Sequence, residues 1–234
     1  MISVVIPCFN EKENIERFPQ TLFPALKELE DFEIIAVDDG SHDGSKDVLK
    51  GFQGAQKIKL ITHSQNQGMG AALKSGFAAA SGDWILVLDA DLTFSPKDIV
   101  LLIAKQRTES SDLVSGSPWL GLRNPSQVPL LRRFLSRSVN LLYRSTSRIP
   151  FSSFTSVFRL YRSSRLRGLK IQSDGFEINA ELAALFWAHG FKLSEVPVLL
   201  SSRKSGRSKL NYRREILAHL RLIFRLTKLV RMNS

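Results

Sequence analysis

Cysteine is almost missing from this chain: Cys8 is the only one in 234 residues. An internal disulfide is therefore excluded, and a reducing cytoplasm is expected, with Cys8 as a small apolar filler. No uninterrupted apolar stretch approaches the roughly 18–20 residues that a membrane-spanning helix requires. Met1–Ile6 carries no basic leader and runs straight into a turn, so it reads as a first strand and not a signal peptide. The third glycine of a dinucleotide-binding fingerprint is absent after Gly68-Met69-Gly70, where Leu73 stands. Gly70–Ser75 likewise lacks the second glycine before its lysine, which argues against a P-loop. Internal repeats and low-complexity linkers are missing too.

Acidic residues are scarce in one half only. Residues 1–110 hold 11 Lys/Arg against 16 Asp/Glu, whereas residues 111–234 hold 22 against 6. The overall +11 thus conceals an acidic half at −5 and a basic half at +16. The acidic half has the means to hold a metal. The basic half suits an anionic partner such as a phosphate-bearing substrate or an anionic membrane surface. Nucleic acid is not expected, because no aromatic strand platform or recognition-helix motif accompanies the charge. A hydrophobic content of 43% and a mean hydropathy of −0.06 fit a folded globular chain.

What is present is a regular alternation. Apolar runs at Ile2–Ile6, Glu33–Val37, Ile58–Ile61 and Trp84–Leu88 read as strands, the first stopping at Pro7. Helical patterns separate them, one carrying Leu22, Leu26 and Leu29, another carrying Val48 and Leu49, and a small-residue helix running to Ala80. Such βαβ units predict an α/β fold with a mostly parallel central sheet flanked by helices. Right-handed crossovers bring the strand C-termini to one edge. That edge gathers Pro7–Glu11, Asp38–Ser41, His63–Gly70 and Asp89–Asp91.

The last of these is the most informative. Trp84–Leu88 is a buried-strand pattern ending in Asp89-Ala90-Asp91. Both carboxylates point the same way while the chain stays extended, and they emerge where open α/β sheets bind ligands. Two hard oxygen donors there suit Mg2+ or Mn2+ on a diphosphate. A solvated turn is the plainer alternative. For Asp38 a local turn bond and helix-capping role is expected.

Taken together, Pro7-Cys8-Phe9-Asn10-Glu11, Val37-Asp38-Asp39-Gly40-Ser41, Asn66-Gln67-Gly68-Met69-Gly70-Ala71 and Asp89-Ala90-Asp91 resemble family 2 glycosyltransferases of the GT-A fold. The resemblance covers roughly the first 95 residues. It implies a nucleotide-sugar donor bound by Pro7, Phe9, Glu11, Asp39, Gly68, Asp89, Ala90 and Asp91, with Asp89 and Asp91 as metal ligands and catalytic residues. Further on, the Glu195-Val196-Pro197 strand and Arg203-Lys204-Ser205-Gly206-Arg207-Ser208-Lys209 look like the dolichyl/polyprenyl-phosphate mannosyltransferase branch. By that resemblance Arg132, Ser136, Arg203, Ser208 and Lys209 grip the acceptor phosphate, with Arg203 also catalytic. Arg132 and Ser136 lie one helical turn apart and can face one anion, and arginine's fork suits phosphate oxygens.

A chemical argument points the same way. Transfer to a sugar hydroxyl needs a carboxylate base, whereas a phosphate monoester is already anionic. The basic half offers few candidates and lacks the Gln-x-x-Arg-Trp segment of processive synthases. Glu181 is read either as a base or orienting group, or as a helix-surface charge. Four positions depart from the branch pattern: Thr93, Pro118, Ser153 and Val157 stand where glutamine, arginine, aspartate and glycine are usual, and Arg123 is placed to compensate at 118.

Residues 1–210 are expected to form one catalytic domain, and 211–234 a basic amphipathic helix. Over Asn211–Met232, Arg214, Arg221, Arg225 and Lys228 fall on one stripe opposite Ile216, Leu220, Ile223, Phe224 and Val230. A helix near Leu130–Arg144 repeats this, with Arg133, Arg137 and Arg144 opposite Leu131, Leu135 and Leu142. Both suit the headgroup boundary of an anionic membrane, or a membrane-protein partner. The expected activity is inverting transfer of a hexose from a GDP- or UDP-sugar to polyprenyl phosphate. Transfer to a glycan hydroxyl, and an inactive nucleotide-sugar-binding homologue, remain as alternatives.

Overall fold

The computed structural model describes all residues except 57, 121–129, 148, 202, 204–211 and 233–234. Its strands are β1 (Ile2–Cys8), β2 (Phe32–Asp38), β3 (Ile58–Thr62), β4 (Trp84–Val87), β5 (Leu113–Ser117), β6 (Arg159–Arg162) and β7 (Leu193–Pro197). The shorter helices are α1 (Lys12–Ile15), α2 (Leu22–Leu26) and, further on, α7 (Ser163–Leu166). The longer ones are α3 (Ser45–Gln56), α4 (Met69–Ala79), α5 (Ile99–Glu109), α6 (Leu130–Ser147), α8 (Ile178–Ala188) and α9 (Tyr212–Met232). One sheet runs β3-β2-β1-β4-β6-β5-β7, with β6 antiparallel to both neighbours and every other pairing parallel.

Alternation along the central strand builds two cores. Val4, Ile6 and Cys8 pack with Ile15, Phe18, Leu26 and Leu102 on one face. Val5 packs with Leu73, Phe77, Tyr161 and Phe186 on the other. Gly76 lets α4 press onto the sheet, since a Cβ there would lie 2.3 Å from Val5 Cγ1. The terminal helix α9 belongs to this second core through Leu222 and Leu226.

Two expectations about strand ends are corrected. β1 continues through Pro7 to Cys8, paired with Val37 and Asp38 of β2. The proline is tolerated because the ladder to β4 has already ended: Leu88 N donates to Val5 O, two residues earlier. Conversely, β4 closes at Val87, and Leu92 N donates to Asp89 O with Leu92 at φ 49°. Asp89-Ala90-Asp91 therefore occupies a turn and not an extended strand end.

Candidate active site

The crevice forms where β1, β2 and β4 end, and its loops are stitched to one another by polar bonds. Asp39 N donates to Cys8 O, Asn10 N to Ser41 Oγ at 2.8 Å, and Glu11 N to Ser45 Oγ at 2.8 Å. In return His42 N donates to Asn10 Oδ1 at 2.7 Å. Asp38 makes a local turn bond, its Oδ1 accepting from Ser41 N three residues on. Gly40, at φ 73°, passes so close to Gln65 that a Cβ would meet its carbonyl carbon at 2.5 Å.

Asp39 is buried, and its carboxylate organises the neighbouring loop. It accepts from Gln67 N at 2.9 Å and Gly68 N at 2.8 Å, and lies 2.6 Å from His63 Nδ1. His63 Nε2 in turn meets Ser75 Oγ at 2.9 Å. The glycines of this loop serve packing: a Cβ on Gly68 or Gly70 would strike the backbone of Ser173 or Asp174. The Asp174 carbonyl accepts from the amides of Gly70 and Ala71, closing the N-terminus of α4.

On the other side, an isolated bridge between Phe94 and Leu200 carries the chain across the aspartate turn. Ser201 N donates to Thr93 O at 2.9 Å, and Arg203 is delivered between two carboxylates. Its Nε donates to Asp91 Oδ2 at 2.9 Å and its Nη2 to Glu11 Oε1 at 2.5 Å. Asp91 Oδ1 accepts from Thr93 N, and Glu11 Oε2 from Asn14 Nδ2. Glu11, Asp91 and Arg203, placed far apart in sequence, thus meet in one cluster. Asp89 instead lines a cavity of about 210 Å3 that opens beside it.

That cavity lies between α6 and α9. Phe94, Pro118, Trp119, Val139, Val157 and Ile216 make it largely apolar, while Arg133, Ser136 and Glu215 add polar groups. Arg137 lies 5.0 Å over the Trp119 ring. Ser136 meets Thr155 Oγ1 at 3.4 Å. The substituted positions Thr93, Pro118, Ser153 and Val157 all line this one space. Arg123, Ser208, Lys209 and the side chain of Arg132 lie outside the described residues.

Two expectations fail in the second half. Glu181 is not a surface charge: it is 3% exposed and accepts from Ser173 N at 2.8 Å, Gln172 N and Arg225 Nη2 at 2.6 Å. Arg225 leaves the cationic stripe for this bond and for Gln172 Oε1, clamping α9 to α8. His219 of α9 is buried as well, 2.8 Å from the Tyr143 hydroxyl, and burial lowers its pKa to about 4. Sequence reasoning also missed Arg159, fully buried among apolar neighbours in β6. The strand gave no signal, because Arg162 stands in the same four residues and only the fold decides which arginine turns inward.

A sequence model of glycosyl transferase family 2 matches residues 3–169. The chain belongs to that family. It is 31% identical over 233 residues to the dolichol-phosphate mannosyltransferase of Pyrococcus furiosus, covering 97% of this chain and 64% of that protein. It is 30% identical to the undecaprenyl-phosphate 4-deoxy-4-formamido-L-arabinose transferase of Pseudomonas fluorescens, over 89% of this chain and 59% of the relative. The chain thus spans less than two thirds of either protein. Among solved structures it superposes on glucosyl-3-phosphoglycerate synthase of Mycobacterium tuberculosis, crystallised with Mn2+, uridine diphosphate and phosphoglyceric acid, with a TM-score of 0.71. That match, at 22% identity, covers 95% of this chain and 78% of the other. The fold is accordingly GT-A, as the four motifs implied.

Proposed function

We propose that this chain transfers a hexose, with inversion, from a nucleotide-sugar to a polyprenyl phosphate at a membrane surface. The observation that carries the reading is the junction of two unlike spaces. A crevice of carboxylates at the strand ends meets, at Asp89, an apolar cavity edged by Arg133 and Ser136. A lipid-borne phosphate has both characters, an anion joined to a hydrocarbon chain, whereas a glycan hydroxyl acceptor has no use for the apolar walls.

The donor side fits a divalent cation. Arg203 sits between the Glu11 and Asp91 carboxylates, so this crevice stabilises positive charge. Asp89 and Asp91 would hold Mg2+ or Mn2+, and the donor diphosphate and water would complete its shell. Among the described residues no group of three His, Cys, Asp or Glu gathers to hold a metal by protein ligands alone. The ion would neutralise charge on the departing nucleotide diphosphate. Pro7, Phe9, Glu11 and Asp39 would frame base and ribose.

The acceptor needs no general base, because its phosphate oxygen is already the nucleophile. That oxygen attacks the anomeric carbon as the bond to the donor diphosphate breaks. Glu181 is unsuited to take a proton there, being paired with Arg225 behind the cavity. Arg133 and Ser136, with Arg132, Ser208 and Lys209, would orient the phosphate and offset its repulsion from the donor.

Membrane association is supported by an exposed apolar ridge. Phe134 and Leu141 of α6 and Leu217, Leu220 and Phe224 of α9 are each 50% exposed or more, with Arg144 and Arg221 also exposed. No described helix is long and apolar enough to cross a membrane, so the mode would be interfacial. Incubation with radiolabelled nucleotide-sugars, Mn2+ and polyprenyl phosphate tests the function. Label in the organic phase is expected, and its loss in Asp89→Ala by about 100-fold or more. Label confined to water-soluble glycan would overturn the acceptor.

A further inference from the structure

One wall of the acceptor cavity is irregular backbone, residues 152–157, and its peptide groups are held from behind by side chains. From β7, Glu195 accepts from Ser152 N at 2.7 Å, Ser152 Oγ at 2.9 Å and Ser153 N at 3.0 Å. From β6, the buried Arg159 donates through Nη2 to Ser153 O and Phe154 O, both at 2.9 Å, and through Nη1 to Asn179 O. From α6, Asn140 Oδ1 accepts from Phe154 N at 2.6 Å. Side chains thus take up most of the polar groups of three successive residues, where a strand ladder would ordinarily do so.

The same carboxylate reaches the facing wall. Ser152 Oγ lies 2.6 Å from Ser117 Oγ, and Ser117 Oγ accepts from Trp119 N at 3.2 Å. With Glu195 ionised, and so an acceptor only, Ser152 Oγ donates to it, Ser117 Oγ donates to Ser152, and Trp119 N donates to Ser117. In that state every bond of the chain runs toward one carboxylate. Trp119 and residues 153–157 line the same cavity.

We propose that Glu195 is a positioning residue for the acceptor: it sets the spacing of the Trp119 and 153–157 walls without touching substrate. This rests on the reading of that cavity as the acceptor site. Two features separate the assignment from ordinary packing. The carboxylate lies at the end of a bond chain linking both walls, and it also holds two successive backbone amides of one of them.

The test uses the full chain with Glu195→Gln and Ser152→Ala. Glutamine keeps the size but sets an N–H donor against the Ser152 or Ser153 amide. Ser152→Ala keeps both amide bonds and removes only the hydroxyl that joins Glu195 to Ser117. Glu195→Gln is expected to raise the KM for polyprenyl phosphate about tenfold, with the donor KM and Mn2+–nucleotide affinity within about twofold. Amide exchange over 151–157 should accelerate by about tenfold while β1 and α4 hold their protection. Ser152→Ala should give a smaller acceptor effect with little change in exchange. Unchanged exchange and KM, or equal rises in both KM values, would overturn the proposal. Should Glu195→Gln not fold, an unaltered acceptor KM in Ser152→Ala would overturn it equally. If the wild-type chain transfers nothing to polyprenyl phosphate, the functional reading fails, and the exchange measurement still decides whether the clamp exists.

Discussion

The crevice at the strand ends and the cavity beside it, the proposed donor and acceptor sites, are built in opposite ways. The crevice is made by short loops at neighbouring parallel strand ends, and its polar groups satisfy one another across a few stitched turns. The cavity is walled by α6, α9 and an irregular segment, and its supports are ionisable groups: Arg159, Glu181 and His219 are buried, and Glu195 and Arg225 half-buried. The first design tolerates water and charge, as a metal and a diphosphate demand. The second is largely apolar, so a buried polar group that loses its partner there is costly. Activity should therefore fail first in the crevice, and stability first in the cavity.

The sharpest way to break that contrast is Asp91→Asn. Turnover should fall by about 100-fold or more, with a melting temperature close to wild type, because the removed charge lies in the crevice. A large loss of stability would show that the aspartate turn is structural instead.

Next in size is the response of the cavity helix to acid. His219 is held neutral by burial, with a folded pKa of about 4 against an ordinary 6.5. A histidine depressed on folding contributes full stability above its unfolded pKa and loses it as pH falls toward the folded value. Wild type should lose on the order of 3 kcal/mol between those limits, and His219→Gln should lose distinctly less. Denaturant titrations at a series of pH values would show it.

Arg225→Ala should cost roughly 2–3 kcal/mol, since it leaves the Glu181 carboxylate buried without its cation. Chemical denaturation measures this directly, and a neutral outcome would mean that Leu222, Leu226 and the Tyr143–His219 bond hold α9 without this pair. The smallest effect is expected on the outer ridge. Phe224→Ser should weaken recovery with anionic liposomes by about tenfold in cosedimentation while leaving stability within roughly 0.5 kcal/mol.

The same contrast explains what could be read before any coordinates. Strand-and-turn motifs are local, so Pro7–Glu11, Asp38–Ser41 and Asp89–Asp91 could be assigned to one sheet edge from spacing alone. Asp38 as a local turn residue followed for the same reason. The end of β4 was misjudged because the apolar run continues into Leu88 while residue pairing with β1 ends at Val87. Helical periodicity assigned Arg225 to a solvent stripe, but periodicity orders residues around an axis without saying what each side meets. Glu181 shows the limit in reverse. Its own helix gave no sign that the 172–173 amides and Arg225 would close around it.

Sequence alone determined the alternation of strands and helices, the charge asymmetry and the family to which the chain belongs, since each is written in near neighbours. Tertiary structure decided which charges face inward, how Arg203 comes to lie between Glu11 and Asp91, and how Glu195 joins two walls of one cavity. These contacts join residues some forty to two hundred positions apart. Such pairings are selected by the cost of leaving buried charged and polar groups unpaired, and only the closed fold specifies which partner is within reach.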